Sequence, residues 1–264
     1  METKFEKTTF AKRLRTMLKV DFKRMFTMPM VYIMAAVSFA LPILILVMTS
    51  TMGGADPNTG EEAAAMFTNV WQAISSVSGG ESADMSMDLT TMCNMNLMYF
   101  MIAVLVCVFT AEDFRSGYAK NLFTVRSKKV DYVFSKTLVC FVGGAIMMLA
   151  YFIGAMIGGA IAGLPFTMTG FNAGGIVACL FSKIFLVMAF VAIFLTFALV
   201  AKQRTWLSIL LACGVGAFMF MMIPMMTPLN ANFIHVIMTL AGGAIFAVGL
   251  GAISNVILNK TSLV

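Results

Sequence analysis

Nine charged side chains fall within the segment TAEDFRSGYAKNLFTVRSKKVDYVFSK, Thr110 to Lys136, in a chain where only 11% of residues are charged. The chemistry this segment offers is charge and hydrogen bonding. The groups that hold metals or attack carbonyls are missing around it. His235 is the single histidine, so a multi-histidine metal site within one chain is excluded, and its position at the start of the last apolar segment reads as an interface residue. Cys93, Cys107, Cys140, Cys179 and Cys213 form no CxxC pair and sit in or beside apolar runs, as small buried hydrophobes do. The Lys-Thr pairs 136–137 and 260–261 follow Ser135 and Asn259 rather than glycine, so the chain has no recognisable phosphate-cradling loop. No HExxH, GxSxG or kinase signature is present. We assign no catalytic and no metal-binding residue, and read the chain as not an enzyme.

Within the charged segment, Glu112 and Asp113 stand where a helix would start, the end at which the helix dipole favours acids. Phe114, Tyr118 and Leu122 recur every four residues and predict one apolar face. Arg115 and Lys120 lie elsewhere on that helix, and Arg126-Ser127-Lys128-Lys129 forms a second basic patch. One reading is a solvated loop whose charges only fix topology. The other is a short helix with an aromatic ridge that fits a groove on another protein. The second is preferred, because topology needs positive charge but no aromatic ridge.

The elements that must position this segment are membrane helices. The chain has 264 residues, 60% of them hydrophobic, and a mean hydropathy of +0.93. A soluble domain has too little polar surface to cover so much apolar side chain. Apolar segments at about 30–50, 92–111, 134–162, 177–201, 206–226 and 233–256 predict an all-α polytopic protein with six transmembrane helices in a single domain, 1–264. Pro42 falls in the first segment and Pro224 near the end of the fifth; membrane helices tolerate such breaks. Lys and Arg crowd residues 4–24, the 112–136 loop, Lys202 with Arg204, and Lys260, which alternate along the chain. The loop 51–91 carries Asp56, Glu61, Glu62, Glu81, Asp84 and Asp88 and no basic residue. The expected topology therefore has both termini cytoplasmic. The net charge of +6 is a topology signal with some attraction to anionic lipid, and a nucleic-acid partner is not expected. The basic, amphipathic start does not read as a cleavable signal peptide or a mitochondrial presequence.

Residues 10–26 predict a helix lying in the inner interface. Phe10, Leu14, Met17, Leu18 and Met25 form a stripe, with Lys12, Arg13, Arg15, Lys19 and Lys23 around it. Asp21 falls on that stripe, to pair with a basic neighbour or to meet a partner. In the outer loop, Met66, Phe67, Val70, Trp71, Ile74 and Val77 share a helical face, and Thr59 with Glu62 has capping-box spacing, so a helix is expected over about 61–77, as a structural lid or as a gate. Lys183 lies 18 residues before Ala201, about 27 Å along a helix, near the outer boundary. Snorkelling to water is the favoured reading and a substrate cavity the other. Asn94 and Asn96, with Met98, are the candidates to face a central cavity; interhelical hydrogen bonding is the alternative for the two amides. The 26 methionines read as apolar filler, with a pliable wall for hydrophobic substrates preferred to a Cu(I) path. Gly154, Gly158, Gly159 and Gly163 predict close helix packing, as do Gly242, Gly243, Gly249 and Gly251. No acid lies deep in a crossing, which counts against proton- or sodium-coupled carriers.

The layout resembles that of a known family. A basic amphipathic helix, FAKRLRTMLKVDFKRMFTMP, precedes six crossings, a large outer loop follows the first, and the inner loop after the second reads AEDFRSGYAKNLFTVRSKKVDYVFSKTL. This resembles the membrane subunit of ABC-2 type ABC transporters. The resemblance implies that residues 10–26 are an elbow helix, with Arg13, Leu14, Met17 and Asp21 as its candidate site residues. It implies that 112–132 is a cytoplasmic coupling loop, whose Glu112, Asp113, Phe114, Arg115, Gly117 and Tyr118 dock a separate ATPase subunit. It further implies two ATPase subunits, a second permease copy or paralogue, no cofactor bound by this chain, and ATP with Mg on the partner. The expected role is a plasma-membrane exporter of a hydrophobic or amphipathic substrate, with a peptide or antibiotic as the candidate. The alternative is a stand-alone membrane immunity or scaffold protein that binds without pumping.

Overall fold

The computed structural model describes residues 10–51, 67–77, 93–125, 129–220 and 222–260. All regular structure among them is helical. Helix α1 is Phe10–Thr27, α2 Pro29–Thr51, α3 Met98–Arg115, α4 Tyr118–Val125, α5 Val130–Ile161, α6 Ala173–Ala201, α7 Thr205–Phe220, α8 Ile223–Met226 and α9 Phe233–Lys260. Among the described residues five spans are long and apolar enough to cross a membrane: Pro29–Ser50, Met95–Arg115, Val130–Ile161, Ala173–Ala201 and Phe233–Lys260. The fifth expected crossing is α7, a shorter apolar helix, and α8 follows it as a separate turn. The predicted boundary at 226 therefore moves back to Phe220. Pro42 does not interrupt α2.

Helix α6 is the central post: 78% of its apolar window is buried, against 17% for α9. It packs against α9, α3, α5 and α7, while α2 lies along α5. The α2–α5 seam rests on small residues. A methyl group on Gly154 would collide with the Phe39 carbonyl, and one on Gly158 would come within 2.8 Å of Ile43 Cα. Glycine at these positions lets the two backbones approach, which is how helices gain contact where lipid offers no hydrophobic drive. Gly163 breaks the series. A side chain there would meet nothing, and its φ of +70° instead serves the turn that ends α5.

The expected outer helix over 61–77 lies outside the described residues as far as 66. Within 67–77 the regular structure is a 3-10 turn, Val70–Ala73, capped by Asn69 and Gln72. Cross-chain hydrogen bonds take the place of a longer helix here. Val70 N donates to Pro165 O, and Leu229 N donates to Ser76 O. Phe67, Val70, Trp71 and Ile74 are all buried, with the Trp71 ring edge-on to Phe166 and Phe171. This segment roofs one end of the bundle. The basic residues of α1, Arg115, Lys120, Lys129 and Lys260 gather at the other end.

Candidate functional site

At the basic end, α1 lies across the first turns of α5 and buries Met17, Asp21 and Met25, one position per helical turn. Lys12, Arg15, Lys19 and Lys23 remain exposed. The apolar stripe thus faces protein along the line that includes Asp21, and the basic face points away. Asp21 is fully buried and meets α5: its Oδ2 accepts from Ser135 Oγ, and its Oδ1 lies 3.3 Å from Lys136 Nζ. Of the two alternatives for Asp21, pairing with a basic residue holds, and the partner comes from another helix.

Lys136 is the hub. Its ammonium has no solvent exposure and lies 2.7 Å from Asp113 Oδ2, at angles that make the contact an ion pair rather than an aligned hydrogen bond. It also sits 3.7 Å from the centre of the Phe109 ring, a favourable cation–π placement. Asp113 in turn accepts from the Arg24 guanidinium and, at 2.7 Å, from the Tyr132 hydroxyl. A further pair, Arg13 to Asp131 at 2.8 Å, ties the start of α1 to the first turn of α5. Three helices, α1, α3 and α5, are thus joined by three acids and three bases whose charges cancel. Removing one member of such a buried set leaves its partner uncompensated, at a cost of about 3–5 kcal/mol. Burial by itself would lower the Arg24 pKa, but Asp113 outweighs it and the pKa is raised, so the guanidinium stays charged. Arg24 also stacks 3.8 Å over the Tyr118 ring, and burial, with Asp21 adding to it, raises the Tyr118 pKa so that the phenol stays neutral.

The structure revises the short-helix reading. Glu112 and Asp113 do not open a helix; they occupy the last turn of α3, which runs on to Arg115. The dipole disfavours acids there, and Asp113 is compensated by Arg24 and Lys136. The chain reverses at Ser116-Gly117, where Gly117 takes φ +73°, a conformation costly for other residues. Helix α4 then starts at Tyr118. The expected outward ridge is overturned. Phe114 is only 9% exposed and belongs to the core, while Tyr118 and Leu122 are half-buried. Tyr118 lies under Arg24, and Phe123 packs edge-on against Tyr132. A short helix at the end of a greasy bundle turns its apolar side to that bundle. The outward side is polar: Glu112, Arg115, Ser116, Lys120, Asn121 and Thr124. Of the expected docking residues, Glu112 and Arg115 are outward, Asp113 and Phe114 are inward, and Gly117 and Tyr118 lie between.

At the roofed end, Lys183 does not snorkel. It is fully buried, on the α6 stripe that also buries Ile176, Cys179 and Phe190. Nζ donates to Asn96 Oδ1 and, at 3.0 Å, to Thr227 Oγ1. The Tyr99 hydroxyl donates to the Lys183 carbonyl at 2.9 Å. Snorkelling assumed an outward side chain, but the roof closes over a lysine that faces the bundle. Asn94, Asn96 and Met98 do not line an open cavity. Asn94 caps the 3-10 turn Met95–Leu97 by accepting from Asn96 N, Asn96 holds Lys183, and Met98 is in the core. The alternative of interhelical hydrogen bonding is what Asn96 does. An apolar groove of about 270 Å³ lies elsewhere, lined by α5, α6 and α9 residues such as Val133, Leu138, Met188 and Val248.

Arg24, Asp131, Tyr132, Ser135, Lys136 and Thr227 were not among the expected site residues. For α5 a signal existed: Asp131, Ser135 and Lys136 place three polar groups in the first turns of a crossing, where each needs a partner. Thr227 carried none.

A family model described as ABC-2 family transporter protein matches residues 17–219. No curated protein matches the chain, and no solved structure matches it.

Proposed function

The chain belongs to the ABC-2 transporter family and is a membrane permease of an ABC transporter, and from that premise we propose how it is driven and what it moves. A separate ATPase subunit grips the polar outer face of α4 and the end of α3: Glu112, Arg115, Ser116 and Lys120. The reading rests chiefly on the buried network behind that face. Asp113, two residues before Arg115, is held by Lys136 of α5 and Arg24 of α1. A push on α4 therefore moves three helices together, because charges in a low-dielectric site resist separation. ATP and Mg reside on the partner, and the cycle exports a hydrophobic or amphipathic molecule across the plasma membrane. The exposed apolar faces of α2 and α9, including Ile33, Leu44, Phe233 and Ile245, meet lipid or a second permease. The test is purification of the tagged chain from its native host. A stoichiometric ATPase should accompany it and be lost when Arg115 and Lys120 are both changed to Glu, with membrane insertion retained. A chain that purifies alone and still confers its phenotype would point to the stand-alone immunity or scaffold role.

A further inference from the structure

Lys183 lies on α6 ten residues after Ala173, about 15 Å inside the roofed end. It is a fully buried ammonium whose hydrogen-bond partners, Asn96 Oδ1 and Thr227 Oγ1, are neutral dipoles. Among the described residues no carboxylate reaches it. Asp21, Asp113 and Asp131 are all engaged at the opposite end by Lys136, Arg24 and Arg13. An ammonium carries three protons to donate, and two are used. The other end of the same amide, Asn96 Nδ2, is buried without a partner. A cation and an amide donor thus stand side by side, short of one acceptor and one negative charge. Buried charges left in that condition are costly, and inside membranes they mark ligand paths.

The cover over this pair is built from irregular chain. Thr227 is held by Ser75 Oγ to its carbonyl at 2.8 Å and by Cys179 Sγ to the same oxygen at 3.2 Å, and Leu229 N bonds Ser76 O. A few hydrogen bonds between two loops are easier to open than a helix seam.

We propose that Lys183 Nζ and the Asn96 amide form an anion-recognition site that takes the negatively charged head of an amphipathic molecule, a carboxylate or phosphate, when the segments around Ser75 and Thr227 part. The carboxyl end of an apolar peptide and an anionic lipid headgroup share this chemistry. The inference deepens the permease reading by naming a substrate class, and it rests on that reading for its transport role. A charge-assisted contact to the ammonium, with a second bond from the amide, would select an anion over its neutral analogue by about tenfold to a hundredfold.

The experiment reads binding on the purified full chain in phosphatidylcholine nanodiscs, by thermal unfolding against increasing decanoate or decyl phosphate, with decanol and decyltrimethylammonium as controls. The two anions should raise the unfolding temperature saturably and the controls should not. Lys183→Met should weaken the anions at least about tenfold, Lys183→Arg should keep the preference, and Asn96→Leu should weaken it with the cation still present. If the Lys183→Met protein does not fold, Asn96→Leu and the charge-retaining Arg variant carry the test. Replacing phosphatidylcholine by phosphatidylglycerol distinguishes the sources: a Lys183-dependent rise from the lipid alone assigns the site to a headgroup, and its absence assigns it to a carried amphipath. Equal stabilisation by anion and alcohol, or anion effects unchanged in both Lys183→Met and Asn96→Leu, overturns the proposal. Because no ATPase is needed, this result and the co-purification result can fail separately.

Discussion

Two lysines are buried in the crossing helices, one near each end of the bundle, and their surroundings differ in kind. Lys136 has two carboxylates within 3.3 Å and an aromatic ring beneath it. Lys183 has an amide oxygen and a hydroxyl. The first is a closed account: the charges of Lys136, Arg24, Asp21 and Asp113 sum to zero, and the geometry binds α1, α3 and α5 into one unit. The second is an open one, a positive charge with neutral neighbours beneath a roof of loops. A buried charge that is fully matched serves as a joint, because any separation of its partners is strongly resisted. Lys183, with neutral neighbours alone, is the charge we propose to receive an anion.

That contrast is easiest to break with Lys136→Met. It takes the basic partner from buried Asp21 and one of two from buried Asp113, and should destabilise the protein by about 3–5 kcal/mol, measured by unfolding in mild detergent. Adding Asp21→Asn and Asp113→Asn to it should recover about half of the loss, since neutral amides no longer need the ammonium. No recovery would mean that packing, and not charge matching, holds the joint. Asp113→Asn alone should cost less, about 2–3 kcal/mol, because Arg24 can still donate to the amide oxygen, the Tyr132 hydroxyl can turn to accept from the amide nitrogen, and Lys136 keeps Asp21. Lys183→Met is the sharpest counterpart. It removes a charge that has no ion-pair partner among the described residues, and stability should change by about 1 kcal/mol or less in either direction. A loss as large as that of Lys136→Met would show that the two sites are alike after all. The smallest effect on stability should come from Arg115→Glu with Lys120→Glu: both side chains are exposed and unfolding should shift by no more than about 0.5 kcal/mol, while ATPase co-purification falls away.

The amphipathic helix at 10–26 was legible because its stripe repeats at helical spacing, and the structure extends it by one residue, to Thr27. The α4 segment shows the limit of the same rule. Phe114 falls on α3 and Tyr118 with Leu122 on α4, either side of the Gly117 turn, so the four-residue spacing marked apolar positions but neither the single helix nor the way they face. Periodicity reports that a face is greasy, and it cannot say whether lipid, another helix or a partner will cover it. Helix α6 defeats the method differently. It is apolar all round, so no moment marks the stripe that carries Lys183, and depth alone suggested a route to water.

By itself the sequence determined that this chain crosses a membrane, where most of its crossings run, and that it carries no recognisable phosphate-cradling loop of its own. Those facts follow from local composition and from the length of helix that spans a hydrocarbon layer. Only the tertiary structure decided that Asp21, Arg24, Asp113 and Lys136 form one neutral joint while Lys183 is left with neutral dipoles. Asp21 and Lys136 are 115 positions apart in the chain, and electrostatic compensation depends on distances of a few ångströms that appear only once the helices are packed.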